Sequence, residues 1–187
     1  IGFEAWDTYQ KTQLASWMAR YKWPIRFFIG VAFWNLVGAG IFGFLINPPI
    51  SLYYMQVLNT TPVHAHAALF GVYGQLSLGL VLLVLRLLYP QGVWKDKALA
   101  ISFWAMNGGL VLMIVLSLLP VGLAQTWASI EHGLWYARSA DFLQLPIMAK
   151  LRWMRMVGDL VFYVGVSALA YFVVRLVVGR SRKANAG

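Results

Sequence analysis

The chain has 187 residues, 60% of them hydrophobic and only 11% charged, with a mean hydropathy of +0.68. Soluble domains carry roughly 25% charged residues, so a water-soluble globular fold is excluded, and the long apolar stretches point to helices that cross a bilayer. The formal net charge of +9 then reads as cationic loops on one membrane face rather than a nucleic-acid surface, and the lack of cysteine excludes disulfides, iron–sulfur clusters and thiolate-held zinc.

Four spans follow in chain order. Residues 1–24 mix aromatic and polar types, including Trp6, Trp17 and Trp23, and form an interfacial or pre-span segment. The first span covers about residues 25–46 and stops at Asn47-Pro48-Pro49, where two prolines remove amide donors. A second begins at Pro62, a residue suited to a first helical turn, and continues to about Tyr89 before Pro90-Gln-Gly92. The third covers about residues 98–123, with Pro120 as a candidate kink near its end, and the fourth about residues 156–178. A basic tail over 179–187 closes the chain. No internal repeat or linker interrupts residues 25–178, so they read as one membrane unit. The start, Ile1-Gly-Phe-Glu-Ala-Trp6, has neither an initiator Met nor a signal-peptide pattern. The expectation is a piece of a longer polypeptide.

Basic residues set the direction. Lys11, Arg20, Lys22, Arg26, Arg86, Lys95, Lys97, Arg175, Arg180, Arg182 and Lys183 fall on one side of alternating spans, and Arg138, Lys150, Arg152 and Arg155 on the other. The positive-inside rule assigns the larger group to the cytoplasm. The connection between spans three and four, rich in Trp and Tyr, is then external.

Near the outer end of span two stand His64 and His66. Two residues apart on a helix is a rotation of about 200°, so the imidazoles leave opposite sides and cannot share one metal ion. In a soluble core such histidines are usually hydrogen-bonded structural groups. In lipid, polar side chains are expensive and usually functional, and imidazole is a common heme ligand. The small neighbours Ala65, Ala67, Ala68, Gly71 and Gly74 suit flat macrocycles, and equally plain helix packing. Heme ligation and a proton relay both stay open on the residues alone.

The run Leu58-Asn-Thr-Thr-Pro-Val-His-Ala-His-Ala-Ala-Leu-Phe-Gly-Val-Tyr-Gly74 resembles the tenth core helix of bacterial nitric oxide reductases of the quinol-oxidising type, within the heme–copper oxidase superfamily. The likeness extends through Phe103-Trp-Ala-Met-Asn-Gly-Gly109, Ser117–Gly133, Trp135-Tyr-Ala-Arg-Ser139 and Leu151–Asp159, and covers about residues 28–178. It implies an all-α integral membrane fold, the four spans being helices nine to twelve of a twelve-helix core. By the same resemblance, His64 is the proximal ligand of a high-spin heme b3 and His66 an axial ligand of a low-spin heme b. The non-heme iron of such enzymes needs histidines that this chain, with only three, does not supply. The expected partners are the lipid bilayer, the rest of the polypeptide or a companion chain, quinol and NO, with a homodimer as a candidate assembly. The expected location is the bacterial inner membrane, with the hemes nearer the outer side.

Other residues carry two readings each. Asp159, in the first turn of span four, is either an ordinary partner of the helix dipole or, as the resemblance implies, an acceptor for a quinol hydroxyl. Arg152 and Arg155 are interfacial anchors or partners of heme propionates, and Arg138 shares those readings. Glu131 and His132 belong to a solvated turn, or to a quinol entrance or propionate network. Asn107 is a packing residue or a hydrogen-bond partner for a neighbouring helix. Trp127, Trp135, Tyr136 and Trp153 form an aromatic belt or, for some of them, a guide for a quinone ring. The leading expectation is a quinol-fed nitric oxide reductase, incomplete in these 187 residues. A cytochrome-c-fed or O2-reducing relative is the nearest alternative, and a non-catalytic membrane module or transporter with a histidine proton relay the more distant one.

Overall fold

Helix α1 of the computed structural model consists of Ser16–Trp34, a π-helical stretch Asn35–Phe42 and a last turn Gly43–Ile46; the structure describes residues 16–90 and 94–184. A short α2, Pro49–Met55, follows. Helix α3 comprises Thr60–Ala68, a π-helical stretch Leu69–Gly74 and Gln75–Leu88. Helix α4 comprises Asp96–Met113, a π-helical stretch Ile114–Leu118 and Leu119–His132. Two short turns, α5 (Leu134–Ala137) and α6 (Ala140–Leu143), lead to α7 (Pro146–Trp153) and the long α8 (Arg155–Ala184). No strand occurs among the described residues. Four segments are long and apolar enough to cross a membrane: Met18–Ile46, Thr60–Leu88, Asp96–His132 and Pro146–Gly179. The expected all-α, four-span membrane fold is the fold observed.

The ends of the elements differ from the expected ones for physical reasons. Helix α1 already begins at Ser16 and passes through Pro24. Its early turns are tied down by Trp23, whose indole donates to Asp96 Oδ1 at 2.7 Å, and by Lys22, 3.7 Å from Asp96 Oδ2. Helix α4 runs well past residue 123. The π-helical stretch before Pro120 widens the turn where its ring would meet the preceding carbonyls, so the proline is accommodated. The helix stops only at Gly133, whose φ of 88° takes the chain out of helical conformation. Helix α8 continues across Gly179 into the expected tail, which is helical to Ala184; the pre-span residues 1–15 and the last residues 185–187 lie outside the described residues.

Lipid replaces water around most of this surface, so apolar side chains such as Leu36, Phe44, Leu87, Trp104 and Leu160 point outward. Close packing must then come from small residues and polar ties. Helices α4 and α8 cross at Gly109 and Gly158. A Cβ on Gly109 would stand 2.5 Å from the Phe162 amide nitrogen, and one on Gly158 2.5 Å from that of Met113. Helix α3 lies between α1 and α4, its buried stripe Val63 and Ala67 packed with Trp34, Leu110, Met113 and Ile114.

Two side-chain carboxamides fasten α3 at both ends of this contact. Asn107 Oδ1 accepts from Trp34 Nε1 at 2.8 Å and Gln75 Nε2 at 2.7 Å, joining α1, α3 and α4 through one atom. Its amide donates back to the Phe103 carbonyl, so the expected interhelical role of Asn107 is met. Nearer the histidines, Gln125 Oε1 accepts from both the backbone nitrogen of Asn59 (2.9 Å) and its side-chain Nδ2 (2.8 Å), while Gln125 Nε2 donates to the Ala137 carbonyl. Gln125 thus pins the start of α3 to α4 and α5. Just before it, Val57 takes a φ of 58°, an unfavourable conformation for a β-branched residue. It is held there because the reversal inserts Leu58, 1% exposed, beneath α4.

Replacing Gln125 by Leu removes an acceptor for two donors and a donor for one carbonyl in a buried place. The expected loss is about 1–3 kcal/mol in equilibrium unfolding from detergent micelles. An unchanged unfolding midpoint would show that this tie carries no stability.

Candidate functional site

His64 and His66 sit in the first two turns of α3, each half-buried. They flank the stripe formed by Val63 and Ala67, and they meet different neighbours. The His64 ring reaches α1: its Nδ1 lies 3.0 Å from the Gly38 carbonyl oxygen. Gly43, one turn further along α1, gives the same ring its space, since a Cβ there would stand 2.9 Å from His64 Cε1. The His66 ring turns toward α8. Its Nδ1 lies 2.8 Å from the Pro62 carbonyl oxygen, and its Nε2 lies 3.2 Å from Arg155 Nη2.

A carbonyl oxygen can only accept, so each Nδ1 donates to it, and the Arg155 guanidinium, which only donates, faces His66 Nε2 as its acceptor. An imidazole whose Nδ1–H is anchored to backbone presents Nε2 in a set direction, which is the arrangement a metal-ligating histidine uses. Gly38 belongs to the π-helical stretch of α1, where the regular ladder of helical hydrogen bonds is displaced and a carbonyl is available to an outside donor. Among the described residues no three His, Asp or Glu gather to hold a bare metal ion. Each imidazole stands alone as a candidate ligand, and one imidazole is what a heme iron takes from a protein at one position.

The remaining candidates divide into two places. Arg155 bridges His66 and Asp159: its Nε lies 3.4 Å from Asp159 Oδ2, four residues along α8. Asp159 lies one full turn inside α8. It therefore does not contact the free amides of a helix start, and the ordinary capping role is replaced by the ion pair with Arg155. Arg152 stands apart, donating to the Leu143 carbonyl at 2.9 Å and thereby closing the loop between α6 and α7. Glu131 and His132 lie elsewhere again, on the rim of a hollow of about 310 Å³ that Trp127, Tyr136, Phe142 and Met148 also line. The His132 ring packs edge-on against Tyr136 at 5.0 Å. Arg138 lies 5.7 Å from the Trp135 ring. The structure thus joins His66, Arg155 and Asp159 and leaves Arg152, Arg138, Glu131 and His132 outside that group.

Sequence reasoning missed the Gly38 carbonyl, Gly43 and Gln125. A backbone acceptor has no side-chain signature. The Gln125–Asn59 tie links positions 66 residues apart, and only the repeated pairing of a buried amide with a helix start would have exposed it.

Four apolar helices long enough to cross a membrane, one of them with two imidazoles directed to different neighbouring helices, define a multi-pass membrane protein. Residues 10–161 match the family described as cytochrome c and quinol oxidase polypeptide I, and the chain belongs to that family. It is thus an oxidoreductase of the heme–copper oxidase superfamily, a family whose members generally bind heme. No curated protein matches the chain.

Replacing Gly43 by Ala crowds the His64 ring, with an expected cost of about 1–3 kcal/mol in micellar unfolding. Gly108→Ala serves as its control, because a Cβ there meets nothing within 4 Å. Equal stability of the two variants would contradict the packing of His64 against α1.

Proposed function

We propose that the chain is the C-terminal part of a quinol-dependent nitric oxide reductase, which converts two NO molecules into N2O and water. The two electrons and two protons this requires are those a quinol releases on oxidation. The observation that carries the reading is the pair His64 and His66, each anchored through Nδ1 and facing a different neighbour, in a chain of this family. His64 is the residue for a high-spin heme b3 and His66 for a low-spin heme b, with the non-heme iron held by residues outside this chain. When bound, the hemes supply one-electron chemistry. What the protein contributes is orientation: the backbone carbonyls of Gly38 and Pro62 set the two rings, and the Gln125 and Asn107 ties hold the helix that bears them.

Arg155 and Asp159 supply the polar half of the site. Arg155 occupies the space beside His66 Nε2 and would leave that nitrogen for a heme iron, its guanidinium then meeting a propionate carboxylate. Arg152 is a second candidate for such a carboxylate, from the same end of the bundle. To Asp159, half-exposed beside Arg155, we assign the role of accepting a hydrogen bond and proton from a quinol hydroxyl. Glu131 and His132, on their separate hollow, would line an approach for quinol. The setting we assign is the bacterial inner membrane, with this end of the bundle toward the outer side. A homodimer is compatible with the lipid-facing surface.

Full-length protein, given quinol and NO, is expected to release one N2O for each quinol oxidised, measured by gas chromatography. Oxygen consumption with no N2O would overturn the choice of substrate. Asp159→Asn is expected to lower kcat/KM for quinol by about tenfold, the loss of roughly one charge-assisted hydrogen bond. Unchanged KM and turnover would remove Asp159 from the quinol site.

A further inference from the structure

Helices α1 and α4 are tied twice, at Trp23–Asp96 toward the end of the bundle opposite the histidines and at Trp34–Asn107 nearer its middle. The ties are 11 residues apart on α1, about 16 Å along its axis. Between them the two helices enclose a lipid-facing groove of about 640 Å³, lined by Arg26, Gly30 and Phe33 on one wall and Trp104, Gly108 and Val111 on the other. Gly30 and Gly108 leave the floor bare. Behind Gly30 stands the Gln75 side chain, so no larger residue fits there, whereas a Cβ on Gly108 meets nothing within 4 Å. Phe33 and Trp104, 51% and 67% exposed, form the two rims.

The charge at the mouth selects the occupant. Arg26 lies against the Trp23 ring at 4.6 Å and has no ion pair among the described residues. The neighbouring carboxylate, Asp96, is already engaged by Trp23 Nε1 and Lys22. Lys95 and Arg175 gather on Tyr171 at this same end. A ligand that satisfies both parts carries an anionic head at the depth of Arg26 and an apolar chain running toward Val111. We infer that the α1–α4 groove is a binding site for one anionic phospholipid, its phosphate on Arg26 and one acyl chain along Gly30 and Gly108. Basic pockets between membrane helices recognise anionic headgroups in this way, each cation adding about 1 kcal/mol, and the guanidinium keeps its stem in the apolar layer.

The test is native mass spectrometry of the full-length protein released from nanodiscs of equimolar phosphatidylglycerol and phosphatidylcholine. Wild type is expected to retain one phosphatidylglycerol. Arg26→Gln should lower the anionic preference about fivefold, the equivalent of one cation, while Arg26→Lys keeps most of it. Gly108→Leu fills the groove in open space and should abolish retention of either lipid without loss of folded protein. Retention unchanged in Arg26→Gln or Gly108→Leu would overturn the site. So would retention of an isoprenoid quinone in the lipid's place, or a photo-crosslink from position 108 to another protein segment.

Discussion

Two residues on an α-helix subtend about 200°, and everything at the candidate site depends on that angle. It forbids His64 and His66 from sharing an ion and sends them to different helices. The contacts follow this division: His64 meets the backbone of α1, and His66 meets Arg155 of α8. Helix α3 is consequently a partition with one imidazole on each side. Its own buried stripe, Val63 and Ala67, is what prevents the partition from rotating.

Orientation in an apolar medium needs more than packing, because lipid gives no hydrophobic drive for one helix to prefer another. The chain solves this with a few polar atoms that each accept twice. Asn107 Oδ1 joins three helices, and Gln125 Oε1 takes both donors of Asn59 at the start of α3. The π-helical stretches act in the same direction. They displace the regular ladder where Gly38 faces His64 and where Pro120 interrupts α4, so that a backbone carbonyl or a proline ring can be accommodated inside a continuous span.

Much of the fold was legible because lipid imposes it. Length and hydropathy marked four spans, and the proline pair at Pro48 and Pro49 marked the end of α1, where the helix does stop. Pro120 was read as a candidate kink, and the expected end at about residue 123 fell short, because the helix passes the proline after a π-helical stretch. Gly133 carried the true stop of α4, through a positive φ that a sequence does not display. At the site, the opposed imidazoles could be read from spacing alone, and the interhelical role of Asn107 from its polarity in lipid. The Arg155–Asp159 pair follows from i,i+4 spacing, but its approach to His66 is a tertiary contact across 89 residues. Gly38 and Gln125 act through a backbone carbonyl and a long-range amide, and neither leaves a local pattern.

The proposed division of labour between the two faces of α3 is open to one direct measurement, electron paramagnetic resonance of the oxidised full-length protein with His64 or His66 changed to Ala. Removal of His64 should abolish the high-spin heme signal and leave the low-spin one, and removal of His66 should do the reverse. Loss of the same signal in both variants, or of neither, would contradict the assignment of the two imidazoles to separate hemes.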